Sequence, residues 1–140
     1  MEPDVSDAAI VGEGTSVDPI EISRFPFRDI RSTLFSDSRV IDEYTGCRAD
    51  QDESGPEVWY RIDLDRPRSL EFHVFDRGEV DIDLHLLDET QSADGCLERA
   101  HQSFNATLPA GTYFLTLDTF VSSSGIERSG EYLLLVLAED

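Results

Sequence analysis

Carboxylates are the side chains with which this sequence could do most chemistry. The 140 residues include 30 Asp and Glu against 11 basic residues, all of them Arg, for a formal net charge of −19. Calcium takes six to eight oxygen ligands in flexible geometry, and carboxylates in loops and at strand ends supply them readily. Crowded acids repel one another unless cations or water screen them. The pattern predicts a calcium site, and a solvated acidic face is the alternative.

Three groups of acids are candidates for that site. The first surrounds the turn Ser54-Gly55-Pro56, the second projects from one face of a predicted strand, and the third ends another strand. The candidate metal ligands are Glu53, Glu57, Asp81, Asp83 and Asp118, with Asp50 and Asp52 beside the first group.

The three histidines belong to no recognisable catalytic motif. His73 and His85 fall inside predicted strands, and His101 lies just before one. The sequence contains no Gly-x-Ser-x-Gly, no HExxH, no EF-hand loop and no phosphate-binding Gly-rich loop leading into a helix. We therefore predict no catalytic residues. The alternative, a stand-alone hydrolase, would need His85, Asp83 and a hydroxyl group to converge in a cleft.

Two cysteines, Cys47 and Cys96, are each flanked by small or polar residues. No CxxC or Cys/His spacing indicates a metal site. We predict one disulfide, formed in an oxidising compartment, and two unrelated free thiols are the alternative.

The net charge limits the partners of the chain. An anionic surface repels the phosphate backbone, so we exclude nucleic acid, and anionic membrane surfaces are disfavoured for the same reason. No apolar stretch approaches the roughly 20 residues of a membrane span, and the amino terminus lacks a secretory pattern.

Trp59 and Phe120 are the aromatic residues that could contact a polymer, although both could equally be core residues.

Period-two alternation of apolar and polar residues predicts the elements that must position these groups. Residues 1–19 are acidic and read as a flexible tail or linker, and residues 20–140 form a single domain. A short first strand is predicted at Ile20 to Phe27, and Pro26 limits it to an edge or an end of a sheet. No helix is predicted, apart from one turn at Arg39 to Tyr44. Further strands are predicted near 58–64, 70–74, 80–86, 104–108, 113–117 and 131–137, the last apolar on both faces and central. Short strands with polar turns at this spacing predict an all-β, antiparallel, jelly-roll-like β-sandwich.

Four stretches, taken in order, carry a resemblance to a known family. They are Asp42 to Cys47, Asp52 to Tyr60, Val80 to Leu87, and Leu108 to Tyr113 running on to Asp118-Thr119. Together they resemble the bacterial pre-peptidase C-terminal domain family, over about Phe25 to Val136. The resemblance implies a non-catalytic, jelly-roll-like domain attached to secreted peptidases and other hydrolases. Some relatives bind calcium and a fibrous substrate, and Asp81, Asp83 and Asp118 match the recurring acids of the family.

The sequence thus predicts an accessory domain of a secreted or cell-surface bacterial protein, and not an enzyme. Its expected partners are a parent hydrolase domain in cis and an extracellular polymer or cell-wall component, and the domain itself is expected to be a monomer. Its expected role is substrate or surface binding, secretion or stabilisation, with calcium as a candidate cofactor. A purely structural spacer without a ligand is the second hypothesis.

Overall fold

Two β-sheets packed face to face make up the fold. A computed structural model describes residues 11–47 and 51–139. One sheet has five strands, and the other has four. Apart from 3₁₀ turns, the described residues contain no helix, and none of them forms a helix long and apolar enough to cross a membrane. The predicted all-β sandwich is confirmed.

The strands are numbered in chain order. They are β1 Ile20–Ile22, β2 Phe27–Ser32, β3 Glu57–Leu64, β4 Arg68–Phe75, β5 Ile82–Leu87, β6 Cys96–Ala100, β7 Ser103–Leu108, β8 Gly111–Thr119 and β9 Glu131–Glu139. The five-stranded sheet has the order β1-β3-β8-β5-β6, and the four-stranded sheet has the order β2-β9-β4-β7. All neighbouring strands pair antiparallel except β1, which lies parallel to β3 at the edge of the five-stranded sheet. Among the residues that the structure describes, 3₁₀ turns lie at Thr33–Phe35, Thr45–Cys47 and Ala93–Gly95.

The main core fills the space between the sheets. It contains the inward-facing apolar residues that alternation predicted, among them Ile62, Phe72, Leu84, Leu115 and Leu134. Each such side chain stabilises the fold by about 1.5 to 3 kcal/mol through its removal from water. The prediction that the last strand is central also holds, because β9 lies between β2 and β4.

A second, smaller core lies on the outer face of the five-stranded sheet. Residues 33–47 and 51–56, between β2 and β3, cross this face, and we call them the covering segment. Its Ile41 and Tyr44 pack against sheet residues that would otherwise face water, namely Trp59, Leu87, Cys96 and Phe114. The Cys47–Cys96 disulfide joins the covering segment to β6 and confirms the predicted pairing.

Several details differ from the sequence-based expectations. Strands β2 and β6 were not predicted, and residues 39–44 form no helical turn. The predicted first strand ends at Ile22, and Phe27 opens β2 after a cis Phe25–Pro26 peptide. Residues 1–10 of the predicted tail lie outside the described residues. From Val11 onward the chain packs along β1 and β3, where the Gly14 carbonyl accepts from the Trp59 backbone N–H at 2.8 Å.

Candidate functional site

Polar side chains form rows across the outer face of the five-stranded sheet. The register pairs Asp118 of β8 with Glu57 of β3 on one side and with Asp83 of β5 on the other. The next row holds Trp59, Thr116, His85 and Arg99, in the order of the strands. Three carboxylates that are far apart in sequence therefore lie side by side, and all three are fully buried under the covering segment.

Tyr44 covers the middle of these rows. Its ring stacks on the His85 imidazole, with 3.6 Å between ring centroids and 6° between the planes. Its hydroxyl donates to Asp118 Oδ2 at 2.5 Å and lies 2.9 Å from the Thr116 hydroxyl. The burial of Tyr44 and its acidic neighbours Asp118 and Glu57 raise its pKa well above the ordinary value. The phenol therefore stays protonated and serves as a donor.

Glu57 is a structural acceptor at the start of β3. Its Oε1 accepts the backbone N–H groups of Val40 and Ile41, each at 3.0 Å. Its Oε2 accepts from the Ser38 hydroxyl at 3.0 Å and from the Trp59 indole N–H. Four donors thus bind one buried carboxylate, which holds the covering segment on the sheet.

Asp118 is also occupied by protein donors. Besides the Tyr44 hydroxyl on Oδ2, the backbone N–H of Thr119 donates to Oδ1 at 2.8 Å. Burial and then the nearby Glu57 charge raise the pKa of Asp118 well above its usual range. Glu57 and Asp118 were candidate metal ligands on sequence, and the structure engages both carboxylates with protein groups.

Glu53 and His85 differ from these two acids because they are buried without hydrogen bonds. Among the described residues, no donor binds either carboxylate oxygen of Glu53, and neither ring nitrogen of His85 has a hydrogen-bond partner. The two groups face each other, with 3.7 Å between Glu53 Oε2 and His85 Nε2. Burial raises the pKa of Glu53 strongly, and the neighbouring Asp83 carboxylate raises it further. Burial lowers the pKa of His85 to about 3, so its ring is neutral at pH 7.

Asp81, Asp83 and His101 form a group that could hold a metal ion. One potential ligand atom from each lies within 4.8 Å of the others. His101 Nδ1 is 2.8 Å from Asp83 Oδ1, and Arg99 Nη2 is 4.0 Å from Asp83 Oδ2. Asp83 is fully buried, Asp81 is partly exposed, and the His101 side chain is 57% exposed, so the group opens to solvent on one side. Sequence reasoning named the two aspartates but missed His101.

The predicted polymer-contacting aromatics lie in different surroundings. Trp59 is fully buried in the second core, where its ring meets Phe114 edge-on at 6.3 Å between centroids. Phe120 follows β8 and is partly buried. Asp50, a neighbour of the first acidic group, lies outside the described residues.

The hydrolase alternative finds no support in this geometry. His85 is completely buried beneath Tyr44, and within the described part of the chain no hydroxyl group forms a hydrogen bond with either of its nitrogens. A nucleophile and its base must lie within hydrogen-bond reach of each other and of a substrate.

Part of the outer face of the four-stranded sheet is apolar and exposed. Ile30 of β2 and Phe75 of β4 expose 65% and 54% of their surface, and the partly exposed Leu133 of β9 lies between them. The partly exposed Leu135 of β9 lies between Arg28 and His73.

Comparisons with known proteins identify the fold. No family model matches the chain, and no curated protein matches it. The pre-peptidase C-terminal domain of a collagenase from Bacillus anthracis superposes with a TM-score of 0.52 at 15% identity, over 83% of this chain and 91% of that one. PliG of Aeromonas hydrophila, a periplasmic inhibitor of g-type lysozyme, gives 0.51 at 7% identity, over 85% and 96%.

A carbohydrate-binding module of family 35, from Abf62 of Cellvibrio japonicus, gives a TM-score of 0.34 at 13% identity, over 64% of this chain and 82% of the module. The superposition on the collagenase domain matches the resemblance predicted from the four sequence stretches, and the chain has the β-sandwich fold of a pre-peptidase C-terminal domain.

Proposed function

We propose that this chain is a non-catalytic accessory domain of a secreted or cell-surface bacterial protein, attached in cis to a hydrolase. It binds an extracellular polymer or cell-wall component, and a divalent cation stabilises it. The shared fold with a collagenase domain supports an accessory role. The Cys47–Cys96 disulfide supports an oxidising, extracytoplasmic location.

The observation that carries the proposal is the position of the group Asp81, Asp83 and His101. It opens to solvent at one edge of the second core, and Glu53 of the covering segment lies next to Asp83. A cation bound there would connect the covering segment to β5 and stabilise both. Calcium is the ion that the sequence predicted, and the oxygen atoms of these acids suit it.

The apolar outer face of the four-stranded sheet is the proposed binding surface for the polymer. Phe75 stacks with His73 there at 6.2 Å between ring centroids, and Ile30 and Leu133 continue the surface. Flat aromatic and aliphatic groups on a sheet suit a repeating polymer, because each repeat can contact the same kind of surface.

The test is sedimentation of the oxidised domain with insoluble collagen, peptidoglycan and cellulose, once with calcium and once with excess chelator. We expect saturable binding to one of the three polymers, and at least about a tenfold loss in Phe75→Glu. Phe35→Ser is the matched control, since Phe35 is 83% exposed but lies on the covering segment. If no polymer sediments the domain, the spacer hypothesis replaces the binding function. If both variants bind like the wild type, the polymer binds at a different surface.

A further inference from the structure

Unpaired polar atoms are concentrated at one place in the second core. Arg99 Nε is one of them. Those that could bind a metal are both carboxylate oxygens of Glu53, Asp83 Oδ2 and both ring nitrogens of His85, and none accepts or donates a hydrogen bond within the described residues. All three side chains are fully buried. Buried polar groups are nearly always paired, because leaving water without a new partner costs free energy. Three neighbouring exceptions therefore require an explanation.

The three unpaired side chains adjoin the group Asp81, Asp83 and His101, which opens to solvent. Glu53 Oε2 lies 3.7 Å from His85 Nε2, and Asp83 precedes His85 by two positions on the same face of β5. Asp83 Oδ1 in turn lies 2.8 Å from His101 Nδ1. The cluster thus has a buried inner side, Glu53 and His85, and an open outer side, Asp81 and His101, with Asp83 between them.

We infer that Glu53, Asp83 and His85, together with Asp81 and His101, form a site for a transition-metal ion of the zinc class. This inference rests on the cation site of the proposed function and assigns its ion. Zinc is bound by imidazole nitrogens and carboxylate oxygens, usually with four ligands. Two ligands of one tetrahedral zinc, each about 2.0 to 2.1 Å from it, lie about 3.3 Å apart. Asp83 Oδ1 and His101 Nδ1 are 2.8 Å apart, Glu53 Oε2 and His85 Nε2 are 3.7 Å apart, and the ligand atoms of Asp81, Asp83 and His101 lie within 4.8 Å of one another. Side-chain rotations must bring the inner and outer ligands around one ion.

The donor set favours such an ion over calcium. Calcium takes six to eight oxygen atoms, and two of the five predicted acids, Glu57 and Asp118, are occupied by protein donors. Three carboxylates and two imidazoles remain, a mixed set of nitrogen and oxygen that suits zinc and its neighbours in the periodic table. A doubly charged ion would also offset the repulsion between Glu53 and Asp83, which Arg99 offsets only from a distance of 4.0 Å.

The binding test uses the oxidised, tag-free domain after removal of metal with a chelator. Calorimetric titrations with zinc, calcium and magnesium are compared, and cobalt absorption spectra report tetrahedral coordination. We expect one zinc ion per chain, bound more tightly than calcium. His101→Ala, an exposed position, should weaken zinc binding by at least about tenfold. His73→Ala is the matched control, because His73 lies 3.3 Å from a carboxylate, Glu71, on the opposite sheet.

A second variant tests whether His85 binds the ion or only packs in the second core. His85→Phe keeps the stacking on Tyr44 and removes both unpaired nitrogens. We expect it to melt at or above the wild-type temperature without metal and to gain a smaller increase in melting temperature from zinc. An equal increase in both proteins would show that His85 does not bind the ion.

Two other outcomes overturn the inference. If calcium binds saturably and zinc does not, the cation site of the proposed function stands but its ion is not of the zinc class. If no divalent ion binds, Glu53 and Asp83 share a proton, and the cation part of the proposed function fails with the inference. Loss of zinc binding in His73→Ala to the same extent as in His101→Ala would show adventitious surface binding. Polymer sedimentation does not bear on any of these results.

Discussion

The role of Glu57 as a structural acceptor can be tested with the isosteric change Glu57→Gln. In the variant, the amide oxygen can keep the two backbone bonds from Val40 and Ile41 that Oε1 now accepts. The amide NH₂ then replaces Oε2 and faces the Trp59 indole N–H, which is also a donor. The Ser38 hydroxyl can rotate and accept instead, so one buried donor, that of Trp59, is left without a partner.

The expected loss of stability follows from these contacts. An unsatisfied buried donor costs about 1 to 3 kcal/mol, and the two backbone bonds lose the additional strength of a charged acceptor. The glutamine avoids the cost of burying a charge, which reduces the difference. We expect the free energy of unfolding to fall by about 2 to 4 kcal/mol. For 140 residues this is a decrease in melting temperature of about 3 °C per kcal/mol.

The assay is urea unfolding followed by the fluorescence of Trp59, the only tryptophan of the chain. It is buried in the second core, so it reports on the region in which the change is made. Glu98→Gln, on an exposed position of β6, is the control and should stay within about 0.5 kcal/mol of the wild type. A Glu57→Gln variant as stable as this control would refute the structural role of Glu57.

Two further predictions concern the stability of the two cores. Replacing both cysteines by serine opens a loop with a sequence separation of 49 residues and should lower the free energy of unfolding by up to about 4 kcal/mol, measured by urea unfolding under oxidising conditions. In the main core, Asp29→Ala removes the acceptor of the Tyr60 hydroxyl at 2.6 Å and of Arg31 Nε at 2.9 Å, and should cost about 2 to 3 kcal/mol. Because Tyr60→Phe removes one of the same bonds, the double variant should be less destabilised than the sum of the two single variants by about 1 kcal/mol or more, and additive losses would contradict the shared bond.

Strands with regular alternation could be predicted from the sequence, and strands without it could not. β3, β5 and β8 place apolar residues at every second position, which is the signal for a half-buried strand. In β2 the pattern is reversed, because Asp29 points inward and Ile30 outward. Asp29 can be buried only because Tyr60 and Arg31 donate to it, and these partners are known only from the fold.

The acidic groups could be found in the sequence, but their roles could not. Glu57, Asp83 and Asp118 belong to three separate groups, and only the register of β3, β8 and β5 places them side by side. The covering segment then decides which of them receive donors. It brings the backbone of Val40 and Ile41 to Glu57 and the Tyr44 hydroxyl to Asp118. A segment without periodic structure carries no sequence signal for such contacts.

His101 was missed because β6 was missed. The short strand β6 has no alternation, since Leu97 and Glu98 are both exposed. Its register with β5 pairs Ala100 with Leu84, so His101 arrives beside Asp83 at the next position. A prediction of β6 as a hairpin partner of β5 would have placed this histidine next to the acid.

The hydrogen bonds of each carboxylate distinguish structural acids from candidate ligands better than the density of acids does. Glu57 accepts hydrogen bonds from four donors and Asp118 from two. These donors replace the water that each carboxylate loses on burial, so neither carboxylate needs a cation. Glu53 receives none, although it is equally buried. A buried carboxylate in that position must bind a proton or a cation. The zinc and calcium titrations decide between these two states, because a proton-sharing pair binds neither ion, whereas a metal site binds one of them in a ratio of one per chain.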